Sequence, residues 1–117
     1  MWIMTKFGFF SIVEKKDDKE DGMLTVRARV KSDLNALRKY IPRMGKITAS
    51  ANSDYKYRAR VSKVKFAEAL GKIVMDINYD NFKGKILESQ GHNRANVYMQ
   101  VWAKLRDLQH PTNMENF

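Results

Sequence analysis

Residues 23–30 read MLTVRARV, a stretch in which apolar and polar side chains alternate. A period of two residues is typical of a β-strand with one buried and one exposed face. The apolar set is Leu24, Val26, Ala28 and Val30, and the opposite set is Thr25, Arg27 and Arg29. Residues 55–61, YKYRARV, repeat the pattern, with Tyr55, Tyr57, Ala59 and Val61 on one face and Lys56, Arg58 and Arg60 on the other. The two stretches predict two half-buried strands of one sheet.

Other strands are predicted on either side of this pair. Residues 2–13, WIMTKFGFFSIV, are rich in aromatic and β-favouring types and carry apolar side chains at both parities, which predicts a central strand buried on both faces. Residues 14–22, EKKDDKEDG, predict a solvated turn that ends at a glycine. A further strand is predicted around residues 47–51, before the break at NSD.

Helices are predicted from caps and apolar stripes. Ser32 or Asp33 can cap a short helix that runs through Tyr40 and stops at Pro42. Ser62 can cap a longer helix, whose stripe is Phe66, Leu70, Ile73, Val74 and Ile77. A short helix or turn is expected near Asn81, and Gly91 precedes a last helix with the stripe Tyr98, Val101, Trp102, Leu105 and Leu108.

This order of elements indicates an α+β fold. We expect an antiparallel sheet of about four strands, covered on one face by roughly two to four helices. The length predicts a single domain over residues 1–109, followed by a loose C-terminal tail over residues 110–117.

Composition limits the classes of function. The chain has no cysteine, which excludes a thiolate metal site, and it has no apolar run long enough to span a membrane, so we expect a cytoplasmic protein without a metal. Its 22 Lys and Arg residues against 13 Asp and Glu give a formal charge of +9, which attracts phosphate-bearing partners. Exposed aromatic and methionine side chains are compatible with a homodimer.

The two alternating strands predict a basic sheet face, provided that their apolar faces point the same way. Its members are Arg27, Arg29, Lys56, Arg58 and Arg60. Such a face can track the phosphates of a nucleic acid or dock an acidic protein partner. It can also be an ordinary solvated face, since charged side chains on half-exposed strands protect sheet edges.

A second candidate site lies at QGHNR, residues 90–94, where the last helix begins. Arg94 precedes Tyr98 by one helical turn, so its guanidinium faces the body of the protein and needs a partner. The partner is either a carboxylate of Asp76, Asp80 or Glu88, or an anionic ligand at the helix start. In the second case Lys83, His92 and Asn93 would also hold the ligand, and Tyr98 or Trp102 would line the pocket.

An enzyme would depend on His92, because the other histidine, His110, lies in the tail. Tyr98 or Lys83 could assist it in a small phosphodiesterase. The sequence has no Ser-His-Asp order, no P-loop and no GxGxxG, so no cofactor is implied and we favour a protein that is not an enzyme.

The start MWIMTKFGFFSIV occurs together with Tyr57-Arg58-Ala59, Asn81-Phe82-Lys83, Gln90-Gly91-His92, Arg94, Tyr98 and Trp102. In these pieces the chain resembles a group of small uncharacterised bacterial and phage-type proteins, over most of its length from Trp2 to about Leu108. The resemblance implies that Lys83, His92, Arg94 and Tyr98 belong to one site. No activity is established for that group, so the resemblance does not identify a ligand.

The leading hypothesis is therefore a non-catalytic binding module for a phosphate-bearing ligand, meaning a nucleotide, an oligonucleotide or a nucleic-acid backbone. The alternative is a protein-interaction or inhibitor module, such as a phage-encoded blocker of a host nucleic-acid-handling complex. In that case the basic sheet face would matter most.

Overall fold

The α+β class is confirmed by a computed structural model, which describes residues 1–110. The strands are β1 (Trp2–Thr5), β2 (Gly8–Val13), β3 (Met23–Ala28), β4 (Thr48–Ala49) and β5 (Tyr57–Ser62). The α-helices are α1 (Lys16–Asp21), α2 (Lys31–Arg38), α3 (Lys63–Met75), α4 (Phe82–Gln90) and α5 (His92–Leu105), and a 3₁₀ turn follows at Arg106–Leu108. Of the predicted tail, all but His110 lies outside the described residues.

Contacts between Cα atoms group residues 1–78 into one compact unit and the residues from Tyr79 onward into another. The first unit contains the whole sheet with α1, α2 and α3, and the second contains α4, α5 and the 3₁₀ turn. The single domain over residues 1–109 stays a prediction. None of the helices within residues 1–110 has the length and hydropathy needed to cross a bilayer.

The sheet is antiparallel throughout and has the strand order β1-β2-β3-β5-β4. β3 and β5 pair in the register that the two alternating stretches require, with Val26 opposite Ala59 and Arg27 opposite Arg58. Side chains of directly opposite residues point to the same face. One face of the sheet is therefore apolar and the other carries the arginines.

The prediction of one central strand over residues 2–13 is wrong, because this stretch folds as the hairpin β1–β2. The hydroxyl oxygen of Thr5 accepts hydrogen bonds from the N–H groups of Phe7 and Gly8, at 3.2 and 3.1 Å. The carboxylate of Asp33 accepts a further bond from Phe9 N–H at 3.0 Å. A Cβ at Gly8 would lie 2.6 Å from Asp33 Cγ, so the close approach of this carboxylate requires glycine there. The hairpin gives the sheet its fifth strand.

The apolar face packs against α2 and α3. The buried core consists of Phe10, Ile12, Val26, Ala28, Leu34, Leu37, Ile41, Met44, Ala59, Val61, Phe66 and Ala69. The predicted cap of α3 is confirmed, since Ser62 Oγ accepts from Lys65 N–H at 3.3 Å. The predicted cap of α2 is wrong: Val30 precedes that helix, and Asp33 bonds to the β1–β2 turn instead. Val74 near the end of α3 and Ile77 beyond it are more than half exposed, so they do not continue the buried stripe.

Residues 16–21 form the helix α1, so the prediction of a solvated turn is wrong. The helix ends at Gly22, which adopts the left-handed conformation with φ 66° and suits glycine. Its anchor is Asp18, which is 1% exposed and hydrogen-bonds to the sheet face that carries the arginines. One buried carboxylate thus fixes a helix that has no apolar stripe.

In the second unit, α4 and α5 pack against each other, and a pair of aromatic rings joins them. Asn81 caps α4 by accepting from Gly84 N–H at 3.2 Å, as the predicted start near this residue required. The rings of Phe82 and Tyr98 stack at 6.1 Å with an angle of 6° between their planes. The predicted stripe of α5 is buried only at its start: Trp102, Leu105 and Leu108 are each more than half exposed.

Candidate functional site

A row of directly opposite residues crosses all five strands on the arginine-bearing face. It runs from β1 to β4 and consists of Trp2, Ser11, Arg27, Arg58 and Thr48. We call it the cross-strand row. Neighbouring strands lie about 4.8 Å apart, so the two arginines of the row are held side by side.

Arg27 and Arg58 have hydrogen-bond acceptors but, within residues 1–110, no acidic partner. Arg27 Nη2 donates to Ser11 Oγ at 2.7 Å, and Arg58 Nη2 donates to the Tyr55 carbonyl at 3.2 Å and to Ser53 Oγ. Their Nε atoms are buried and have no acceptor in the same described range. Like charges placed directly opposite each other destabilise a sheet, and buried donors without acceptors add to that cost. The pair therefore opposes folding locally.

Arg29 lies just beyond β3 and extends this charged region. Its guanidinium carbon lies 4.6 Å from the centre of the Tyr55 ring, and that of Arg27 lies 4.8 Å from it, so both make cation–π contacts. The alternation in residues 55–61 predicted that the Tyr55 side chain belongs to the apolar core. Tyr55 is buried, but its ring lies against the two arginines and not in that core. Lys56 is exposed in the turn before β5, where its ammonium lies 5.6 Å from the centre of the Tyr57 ring.

An open groove of about 680 Å³ adjoins the row at Arg58 and Thr48. Its charged lining consists of Lys15, Arg43, Lys46, Arg58 and Arg60 against Asp17 and Asp18. We call it the basic groove. Within residues 1–110, Lys15, Arg43, Lys46 and Arg58 form no ion pair, so most of the positive charge in the groove is not neutralised by the protein.

The loop between α2 and β4 brings two of these cations to the groove. Gly45 N–H donates to the Arg60 carbonyl at 2.8 Å, and Arg38 Nη2 donates to the Gly45 carbonyl at 2.8 Å. A Cβ at Gly45 would lie 3.1 Å from the same Arg60 carbonyl, so the loop approaches β5 closely. Because its backbone is fixed in this way, the exposed side chains of Arg43 and Lys46 extend from a defined position.

Asp18 orients the remaining arginine of the groove. Its carboxylate accepts from Thr25 Oγ1 at 2.6 Å, from Arg60 Nε at 2.7 Å and from Lys15 N–H at 3.0 Å. Burial acts to raise the pKa of Asp18, but the hydrogen bonds from Thr25, Lys15 and Arg60 outweigh it and hold this pKa below its ordinary value. The bonds to Asp18 and then Asp21 raise the pKa of Arg60. Arg60 is thus the neutralised cation of the groove.

The residues of the site predicted at the start of α5 all lie in the second unit. Arg94 and Tyr98 meet, since Arg94 Nη1 donates to the Tyr98 hydroxyl at 3.2 Å. Lys83, His92 and Asn93 have exposed side chains on the two helices of the second unit. Trp102 is 56% exposed, and its ring lies 5.6 Å from the guanidinium carbon of Arg106. The Tyr98 hydroxyl is thus one protein partner of Arg94.

Sequence reasoning missed the groove residues Lys15, Asp18, Arg43 and Lys46. The first two lie in a charged run without apolar periodicity, and the other two lie in a loop without a recognisable motif. Two glycines offered usable indications: Gly22 is the typical end of a helix, and Gly45 marks a close backbone approach. No group of three or more His, Asp or Glu side chains within residues 1–110 is arranged to hold a metal ion.

Comparison of the chain with protein-family models, with curated proteins and with solved structures finds no match. The function is therefore inferred from the site itself.

Proposed function

We propose that the protein is a small non-catalytic binding module for a phosphate-bearing ligand, and that the cross-strand row and the basic groove bind a nucleic-acid backbone. The single observation that carries this proposal is the pair Arg27 and Arg58, which stand opposite each other without a carboxylate partner in the described part of the chain. Phosphate oxygens would supply the missing counter-charge and accept hydrogen bonds from both guanidinium groups.

The surrounding charge supports a polymer more than a single nucleotide. Lys15, Arg43, Lys46 and Arg58 are spread along an open groove, and Arg27 and Arg29 continue the charge beyond it. A backbone with one charge per nucleotide can engage cations that are distributed in this way, because each phosphate that is bound releases condensed counterions. The formal charge of +9 adds long-range attraction for the same class of ligand.

The test is binding of a fluorescently labelled oligonucleotide as a function of salt concentration. The variant Arg43→Gln/Lys46→Gln removes two exposed cations of the groove, neither of which forms an ion pair within residues 1–110. We expect affinity to fall by about tenfold at low salt. The slope of log K against log salt should also become shallower, by roughly 0.7 to 0.9 for each phosphate that the variant no longer binds.

The matched control is Lys31→Gln/Lys39→Gln, which removes the same charge from exposed positions in and next to α2, the helix that covers the apolar face. It should retain nearly the wild-type affinity. Equal losses in both double variants would mean that net charge alone attracts the oligonucleotide, and the absence of binding by the wild type would overturn the proposal. Retention on an acidic polypeptide without binding of nucleic acid would instead favour an acidic protein partner.

A further inference from the structure

Trp2 is a large apolar side chain that the fold leaves in solvent. Its side chain lies on the edge strand β1 and is 73% exposed. Within the described part of the chain, its ring contact is the edge-to-face approach to Phe9, with 6.0 Å between the ring centres. The residue directly opposite, Ser11, is small and buried. An indole in this position contributes little to the core, and edge strands are usually protected by charged side chains instead.

The register places this indole on the same face as the arginines. Trp2 is the first member of the cross-strand row, Ser11 the second, and Arg27 and Arg58 the next two. The distance from β1 to β5 across the sheet is about 14 Å, as three steps between neighbouring strands. Phe9 shares this face, because it lies two residues before Ser11 in β2. An aromatic platform and a strip of cations therefore lie side by side.

We propose that the ligand is a single-stranded nucleic acid, whose bases stack on Trp2 while Arg27, Arg58 and the basic groove hold its phosphates. This inference rests on the function proposed above and specifies its ligand. Combining a basic surface with exposed aromatic rings is the arrangement that binds single strands, since every base has a face that can stack. In a duplex those faces are already stacked on each other, so an exposed indole would gain nothing from it.

Phe9 strengthens the platform. Its ring makes the edge-to-face contact with Trp2 and is itself half-buried. The hydroxyl of Ser11 holds the Arg27 guanidinium next to this aromatic pair. A backbone that follows the row from Arg58 to Arg27 would thus present a base to Trp2 at the sheet edge.

The experiment uses the full chain with the substitution Trp102→Phe. The sequence contains two tryptophans, so Trp2 is then the only one left and the emission reports on it alone. Three ligands of equal length are titrated: single-stranded oligothymidylate, an abasic deoxyribose-phosphate oligomer and a duplex. We expect oligothymidylate to quench the Trp2 emission and to bind about tenfold more tightly than the abasic oligomer. The Trp2→Ala variant, measured with labelled ligands, should lose this preference and keep its affinity for the abasic oligomer.

The Trp2→Phe variant should restore part of the preference, because a phenyl ring still stacks. The Trp102→Phe protein, titrated with the same three ligands, is the reference for both Trp2 variants. Unaltered Trp2 emission at saturation, an equal preference in Trp2→Ala, or tighter binding of the duplex would overturn the single-strand inference while leaving the backbone-binding function standing. Failure of the protein to bind any of the three ligands would overturn the proposed function itself.

Discussion

On one face of the sheet, Phe10, Val26 and Ala59 are almost fully excluded from solvent under α2 and α3. On the other face, Arg27 and Arg58 lie directly opposite each other, and an indole at the edge is exposed. The same two strands, β3 and β5, contribute to both faces in alternating positions. Each residue of the alternation therefore contributes either to the core or to the charged surface, and the two sets respond to substitution in different ways.

The difference between the faces separates residues that stabilise the fold from residues that we propose bind the ligand. Apolar burial accounts for the first face without any ligand. The second face contains like charges directly opposite each other and, within residues 1–110, buried donors without acceptors, and both features lower stability. In natural proteins such unfavourable features are found mainly at functional sites. Three substitutions test this contrast, from the largest expected effect on the free energy of unfolding to the smallest.

The largest effect is expected on the apolar face. Leu34 of α2 is 0% exposed in the core, and Leu34→Ala should lower the free energy of unfolding by about 2–5 kcal/mol, because it removes buried methyl groups and leaves a cavity. Urea denaturation measures this loss. The control Val74→Ala, at a side chain that is 55% exposed, should change stability by less than about 0.5 kcal/mol. Similar losses in both variants would contradict the assigned core.

The apolar face was also the part of the fold that the sequence predicted best. Alternation over β3 and β5 determines their register, because a slip by one residue would expose the whole apolar set. The β1–β2 hairpin could not be predicted in the same way. Its turn depends on the carboxylate of Asp33, which binds Phe9 N–H from a position 24 residues further along the chain, and local patterns contain no such information.

An intermediate effect is expected at Asp18, where a helix is attached to the charged face. Asp18→Asn should lower the free energy of unfolding by about 1–3 kcal/mol at neutral pH, because an amide cannot accept all three bonds from Thr25, Arg60 and Lys15. The pKa of Asp18 is lowered in the folded protein, so its contribution is complete above the unfolded pKa of about 3.9 and is lost as the pH falls through the folded value.

The difference in stability between the wild type and Asp18→Asn should therefore shrink as the pH is lowered below about 4. The control Asp17→Asn makes the same change in charge at the exposed neighbouring residue and should have little effect at any pH. A difference that stays constant down to a pH of about 2 would show that the carboxylate does not act through its ionised form.

The sequence predicted some parts of the candidate sites and missed others, because local periodicity places residues within one element but not residues from distant segments. The placement of Arg27 and Arg58 on one face followed from periodicity. The position of Arg94 one helical turn before Tyr98 followed from helical spacing, but the hydrogen bond between the two side chains was not predicted. The basic groove was not predicted either, because Lys15, Arg43 and Lys46 come from segments that meet only in the folded chain. The helix α1 is polar and has no apolar stripe that would predict where it packs. Its place against the sheet depends on the hydrogen bonds of Asp18 to residues far along the chain, such as Arg60.

The smallest effect on stability, and the sharpest separation from function, is expected at Arg58. In Arg58→Met the Tyr55 carbonyl keeps its bond from Ser53 Oγ. The substitution removes a buried Nε that has no acceptor within residues 1–110, and it also removes the repulsion between this side chain and Arg27. Stability should be unchanged or higher by up to about 1 kcal/mol, since a like charge placed directly opposite and a buried donor without an acceptor both oppose folding. Oligonucleotide affinity should nevertheless fall, by about tenfold.

Arg27→Met is the matched comparison within the same pair. It removes the same repulsion, but it also removes the guanidinium that donates to the hydroxyl of Ser11, a residue that is 1% exposed. We therefore expect Arg27→Met to be less stable than Arg58→Met by about 1 kcal/mol, with a similar decrease in affinity. If both variants lost stability together with affinity, the arginine pair would be a structural element of the sheet, and the contrast between its two faces would disappear.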